Sequence, residues 1–189
     1  FVESKKYKEI FNYSIKTYQE NCIKSSSNKV SFAAIGHSRL VTNGYQSENI
    51  NNQPVIVPGL VAIHNGIITN QKELWKQNTN FAKSTDLDTE IVLRILKNKI
   101  KNGFNLKGAL KETYSEIQGT ASMAIFFDQF RNILLTTNTG SLFYLIDSQK
   151  KLMIFASERF ILNKFIQSRC LSFLNCKNKI NQLNAYEAL

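Results

Sequence analysis

Ala121-Ser122-Met123-Ala124-Ile125-Phe126-Phe127, Asn132-Ile133-Leu134-Leu135-Thr136-Thr137, Leu142-Phe143-Tyr144-Leu145-Ile146-Asp147 and Leu152-Met153-Ile154-Phe155-Ala156 are four short apolar runs, each parted from the next by a few polar residues. Their length and their β-branched and aromatic content are those of strands. Strands joined by short polar turns run antiparallel, so this stretch predicts an antiparallel meander.

On either side the apolar period changes to that of helices. Residues 106–117, 88–101 and 71–77 read as helices before the meander, the second with Ile91, Val92, Ile95, Leu96 and Ile100 on one face and the third with the only Trp, Trp75. Residues 158–167 read as a helix after it, followed by closing strands at 171–175 and 180–183. Nearer the start, 54–57 and 60–63 read as a hairpin around Pro58-Gly59, and 30–35 as a buried strand running into Gly36 after a turn-like stretch at 25–29. Tyr7, Ile10, Phe11, Ile15 and Tyr18 have the spacing of a helix with one buried face, ending near Asn21. Helices grouped before and after hairpin-linked strands define an α+β class, with sheets covered by helices.

The chain has 189 residues, enough for one domain with its own core, and its 43% hydrophobic and 20% charged residues are those of a folded globular protein. Lys plus Arg number 24 against 14 acidic residues, a net charge of +10. That balance raises a nucleic-acid partner. Only five of the basic residues are Arg, however, and the lysines are spread among Asn and Ile along the whole chain, which fits compositional bias better than a phosphate-reading surface. No nucleic acid and no membrane are expected as partners, since no apolar run approaches the ~20 residues that span a bilayer. Cys22, Cys170 and Cys176 form no closely spaced pair, so reduced structural thiols and a cytoplasmic setting are expected, with no metal and no cofactor.

The residues that could carry chemistry are few. His37 and His64, the only histidines, stand at strand ends in Gly36-His37-Ser38-Arg39 and His64-Asn65-Gly66. A histidine there can simply be a structural hydrogen bonder. An Asn amide beside a Gly N–H makes a two-donor pocket for a developing oxyanion, although Asn-Gly is also a common hairpin turn. Arg39, following a buried strand, offers a held guanidinium for a carboxylate, with the Thr42 hydroxyl close by in sequence. Asp88 at a helix start could accept an ammonium group or merely cap the helix. Together Arg39, Thr42 and Asp88 would clamp both charged ends of a free α-amino acid.

Gly36-His37-Ser38-Arg39-Leu40-Val41-Thr42-Asn43-Gly44, Asn52-Gln53-Pro54, His64-Asn65-Gly66-Ile67-Ile68-Thr69-Asn70 with Glu73-Leu74, and Asp88-Thr89-Glu90 occur in an order that resembles the glutaminase domain of class II glutamine amidotransferases. The nearest branches are glucosamine-fructose-6-phosphate aminotransferase and amidophosphoribosyltransferase. The resemblance implies an N-terminal-nucleophile hydrolase fold, a four-layer αββα sandwich of two antiparallel sheets between helical layers. It implies that Arg39 and Thr42 hold the α-carboxylate of L-glutamine, that Asp88 holds its α-amine, and that Asn65 and Gly66 form the oxyanion hole, with His37, His64 and Asn43 as supporting residues. The implied reaction releases ammonia through a glutamyl thioester and passes it to a synthase domain or subunit. A homo-oligomer is compatible with this.

The departures also matter. The nucleophile of the family is a cysteine at the first position of the mature chain, with its own α-amine as base. Here Phe1 comes first, and neither Cys22, Cys170 nor Cys176 matches that position. The expectation is therefore that 1–189 is an N-terminally incomplete amidotransferase domain, with the nucleophile strand and its cysteine upstream of Phe1. The alternative is a nucleophile-less descendant that serves as an amino-acid-binding or regulatory module. Leu40 stands where the aminotransferase branch has Trp, Asn43 where it has His, and Gln53 and Val55 where it has the histidines of a His-Pro-His triplet.

Overall fold

The structure is a computed structural model that describes residues 5–24, 32–38, 51–128, 132–149, 151–167 and 179–189. The chain divides into two compact units, Phe1–Ile35 and Gly36–Leu189. The first holds helix α1 (Lys5–Lys24), somewhat longer than its apolar spacing predicts, and the Tyr18 ring lies 5.0 Å from that of Phe32. Within this unit Ile10, Phe11 and Ile23 stay exposed. The strand expected at 30–35 is not seen over its described part: residues 32–38 join no ladder. An apolar run becomes a strand only when a neighbour takes up its N–H and C=O groups, and no described strand pairs with this one.

The second unit contains β1 (Val55–Val57), β2 (Leu60–Ile68), α2 (Gln71–Gln77), α3 (Asp88–Lys101), α4 (Leu106–Glu116), β3 (Gly119–Phe127), β4 (Asn132–Thr137), β5 (Phe143–Asp147), β6 (Leu152–Ala156), α5 (Arg159–Ile166), β7 (Asn181–Gln182) and β8 (Glu187–Ala188). One antiparallel sheet has the order β1-β2-β3-β4-β8 and the other β6-β5-β7. The predicted meander is thus cut in two, since β3-β4 and β5-β6 are hairpins of different sheets. The cut lies at Asn138–Leu142, where the Thr137 hydroxyl accepts the N–H groups of Thr139 and Gly140 (both 3.1 Å) and Gly140 takes φ +79°. This side-chain-closed turn points the chain away from the first sheet. The closing strand at 180–183 shrinks to β7, and β8 at the end of the chain was not expected; the strand expected at 171–175 lies outside the described residues.

Helix α3 carries the core. Ile91, Val92, Leu93, Ile95 and Leu96 are buried against β1, β2 and α4. Each such side chain contributes roughly 1.5–3 kcal/mol on leaving water. Helix α5 covers the second sheet through Leu162, packed with Leu145 and Ile180. Helices therefore cover each of two antiparallel sheets, the expected α+β layering. Among the described residues no helix is long and apolar enough to cross a membrane.

Candidate functional site

Strand β2 organises the site. Its side chains alternate, with Leu60, Ala62, His64 and Ile68 on the face toward α3, and Ile63 and Asn65 on the other. The strand runs unbroken from Leu60 to Ile68, and Asn65 and Gly66 pair with Ser122 and Ala121 of β3. They are therefore not a hairpin turn, and His64 is not at a strand end. Gly66 takes φ +149°, and a Cβ there would stand 2.0 Å from the Thr120 carbonyl oxygen. Only glycine permits that approach.

The register fixes which backbone groups are free. Thr69 N–H donates to the Gln118 carbonyl and Asp128 N–H to that of Gly59, so odd-numbered residues of β2 bond to β3. The Asn65 carbonyl points to β3, and in the same peptide plane the Gly66 N–H points the opposite way. On that opposite edge β1 pairs only as far as Ala62. Beyond it the Gln53 side chain takes over, its Oε1 accepting the His64 N–H (2.6 Å) and its Nε2 donating to the His64 carbonyl (2.7 Å). Four residues further along, the Ile68 N–H donates to Asp88 Oδ2 (2.7 Å). Among the described residues no strand pairs with Gly66 on this side, so its N–H lies on an open edge between Gln53 and Asp88.

Asp88 is buried in the first turn of α3, and the N-cap position belongs to Leu87. Its carboxylate reaches across to β2, so it is not a helix cap. The His64 ring lies on the same face. Its Nε2 donates to the Thr120 carbonyl (3.1 Å), while Nδ1 faces the Thr89 hydroxyl (3.0 Å) and Asp88 Oδ1 (3.6 Å). Burial works to raise the Asp88 carboxyl, but the His64 ring and the Ile68 N–H outweigh it and hold it below its ordinary value. An ionised carboxylate with further lone pairs can take another donor.

The loop before α3 is fixed from within. Buried Glu90 accepts the N–H groups of Ser84 (3.0 Å) and Thr85 (2.6 Å) and pairs with Arg94 at 2.6 Å. Asn51, also buried, accepts the Asp86 N–H at 2.9 Å. Burial acts to raise the Glu90 carboxyl, and Arg94 with the two N–H groups more than offsets this, so it too lies below its ordinary value. The stability that Asp88 and Glu90 contribute is therefore present above the unfolded carboxylate value of ~4 and is lost as pH falls through their lowered folded values. Thermal unfolding between pH 7 and pH 3 should show this loss, with a shallower slope in Glu90→Gln. Glu90→Ala strips Arg94 and two N–H groups of their acceptor and should cost about 3–5 kcal/mol in denaturant unfolding. A loss under 1 kcal/mol would mean that the pair does not hold the loop.

On the opposite face of β2 lies a cavity of about 500 Å³ between the two sheets, lined by Gly36, His37, Ser38, Asn65, Ser122 and Glu158 among others. It brings His37 and Asn65 together. Arg39, Thr42 and Asn43 lie outside the described residues, as do Cys170 and Cys176. A larger groove of about 1120 Å³ beside α4 and β8 holds none of the candidate residues, and burial pushes its Tyr114 phenol up to about 12, against the opposing bond from Thr136. Among the described residues no group of His, Cys, Asp or Glu could hold a metal ion. Sequence reading quoted Gln53 and Thr89 within its motif blocks but gave them no role, and it missed Asn51 and Thr120. A polar pair placed just before an apolar strand, at Asn51 and Gln53, was the available signal.

Residues 37–164 match the family model described as a glutamine amidotransferase domain. The chain is 30% identical over 110 residues to glutamine--fructose-6-phosphate aminotransferase [isomerizing] of Bartonella quintana, covering 56% of this chain and 18% of that protein. It is 28% identical over 152 residues to the enzyme of the same name from Francisella tularensis, covering 79% of this chain and 23% of that one. Among solved structures it resembles glutamine phosphoribosylpyrophosphate amidotransferase from B. subtilis, with a TM-score of 0.57 and 19% identity, over 77% of this chain and 30% of that chain. The chain therefore spans about a fifth of the length of the curated relatives it matches. The structural likeness bears out the expected fold of N-terminal-nucleophile hydrolase type, two antiparallel sheets with helices.

Proposed function

The chain belongs to the glutamine amidotransferase domain family of class II, and from that premise we propose that it binds L-glutamine, hydrolyses its side-chain amide and passes the ammonia to a synthase domain. The observation that carries this reading is the Gly66 N–H on the open edge of β2, flanked by the Asp88 carboxylate at the next bonded position, with Asn65 facing the inter-sheet cavity. A donor beside an anion suits a substrate whose carbonyl must be polarised while its ammonium group is held.

In this reading Arg39 and Thr42 take the α-carboxylate, Asp88 takes the α-ammonium, and Asn65 Nδ2 with the Gly66 N–H receives the oxyanion. His37, His64 and Asn43 support these residues. The thiolate of a cysteine N-terminal to Phe1 attacks the amide carbon, and its α-amine carries the thiol proton to the departing nitrogen, so ammonia leaves and a glutamyl thioester remains. Water then cleaves the thioester to glutamate and restores the thiol.

The test is ammonia release from glutamine by the full-length protein. Asp88→Asn keeps an oxygen for the Ile68 N–H but loses the charge, so the glutamine concentration for half-maximal rate should rise about 10- to 100-fold, the value of one hydrogen bond to a charged group. An unaltered dependence removes Asp88 from the substrate. A full-length protein that binds glutamine and releases no ammonia would instead be the binding module.

A further inference from the structure

The backbone edge that carries the Gly66 N–H is held by a side chain the reaction itself does not use. A strand edge left without a neighbour is normally solvated and free to twist. Here, where no described strand continues β1, the Gln53 amide occupies the place of a paired strand residue, accepting from the N–H and donating to the C=O of His64 at 2.6 and 2.7 Å. At neutral pH a side-chain amide offers a neutral donor and acceptor side by side in the way a paired strand residue does, which an ionised carboxylate cannot. The same segment is anchored at Asn51, whose side-chain oxygen accepts the Asp86 N–H two residues before Asp88. Residues 51–53 thus bridge the two elements, β2 and the start of α3, whose backbone and carboxylate face each other across Gly66.

We propose that Gln53 is a positioning residue that presets the Gly66 N–H for the transition state by completing the open edge of β2. The inference rests on the glutaminase reading for its consequence in catalysis, but not for its structural premise. Because the donor is preset for a developing oxyanion rather than for the ground state, its loss falls on turnover and not on glutamine binding.

The experiment compares the full-length protein with Gln53→Met and Gln53→Glu. Gln53→Met keeps the length and removes both bonds, and kcat should fall about tenfold or more with KM unchanged. In Gln53→Glu an ionised carboxylate cannot donate to the His64 carbonyl, whereas the protonated carboxyl restores one donor and one acceptor. The ratio of its kcat to that of the parent should therefore rise as pH falls from 8 to 5.5. The titratable groups around this edge, His64, Asp86, Asp88 and Lys83, are common to both proteins and cancel in the ratio. A ratio that is flat with pH, a loss that appears in KM alone, or parental turnover in Gln53→Met would overturn the proposal. Amide hydrogen exchange gives a readout independent of the reaction: His64 N–H should exchange at least tenfold faster in Gln53→Met, and unchanged protection also overturns the proposal. A parent that releases no ammonia while His64 protection depends on Gln53 would sink the glutaminase reading and leave the edge assignment standing.

Discussion

In the full-length protein Asn65→Ala is expected to lower glutamine hydrolysis by about 100- to 1,000-fold, the usual consequence of removing one preorganised oxyanion donor. The side chain is exposed to the inter-sheet cavity and bonds to no described residue. Its removal should therefore leave stability within about 0.5 kcal/mol of the parent. Glutamine binding should also persist, since the amide is aimed at charge that develops only in the tetrahedral intermediate. Steady-state ammonia release together with glutamine binding measured by calorimetry separates the two effects. Unchanged turnover would take Asn65 out of the oxyanion role.

Gly66→Ala is expected to be more severe and to act through the backbone. The new methyl would sit 2.0 Å from the Thr120 carbonyl oxygen, 2.6 Å from its carbon and 2.8 Å from His64 Nε2, and the residue would have to hold φ +149°. Two of those atoms are main chain and cannot swing aside. Either β2 and β3 part near Thr120 or the peptide at Gly66 rotates. The first breaks the His64 to Thr120 bond and the second turns the N–H away from the edge. A loss of about 2–4 kcal/mol in stability is expected, in the range of other backbone-incompatible substitutions, with glutaminase activity abolished. A variant that melts with the parent and retains its turnover would show that the open-edge geometry at Gly66 is not needed.

Local signals carried much of the fold. Helices α2 and α3 span the residues their apolar periodicity marks, 71–77 and 88–101, and β4 and β6 match their runs. These segments report on themselves, because a buried face has to be written at the period of the element that buries it. Where the expected structure depended on a distant neighbour it failed. Asn65-Gly66 has the composition of a turn, and only pairing with Ser122 and Ala121 makes it strand. Asp88 has the composition of a helix cap, and only the approach of β2 gives its carboxylate the Ile68 N–H to accept. The hairpins β3-β4 and β5-β6 look alike in sequence, and their assignment to separate sheets is made by the turn that Thr137 closes.

The candidate site divides along the same line. Its residue types and their order, from the Gly36-His37-Ser38-Arg39 block through His64-Asn65-Gly66 to Asp88-Thr89-Glu90, are written in the linear chain and were enough to indicate the family. That no described strand lies beside Gly66 on one edge, that Gln53 stands in for a strand at His64, and that His64 and Asp88 share the face opposite Asn65 came only with the folded chain. Side-chain chemistry belongs to each residue alone, whereas the availability of a backbone donor depends on which strand lies beside it, and here β1 ends at Val55, opposite Ala62 and short of Gly66.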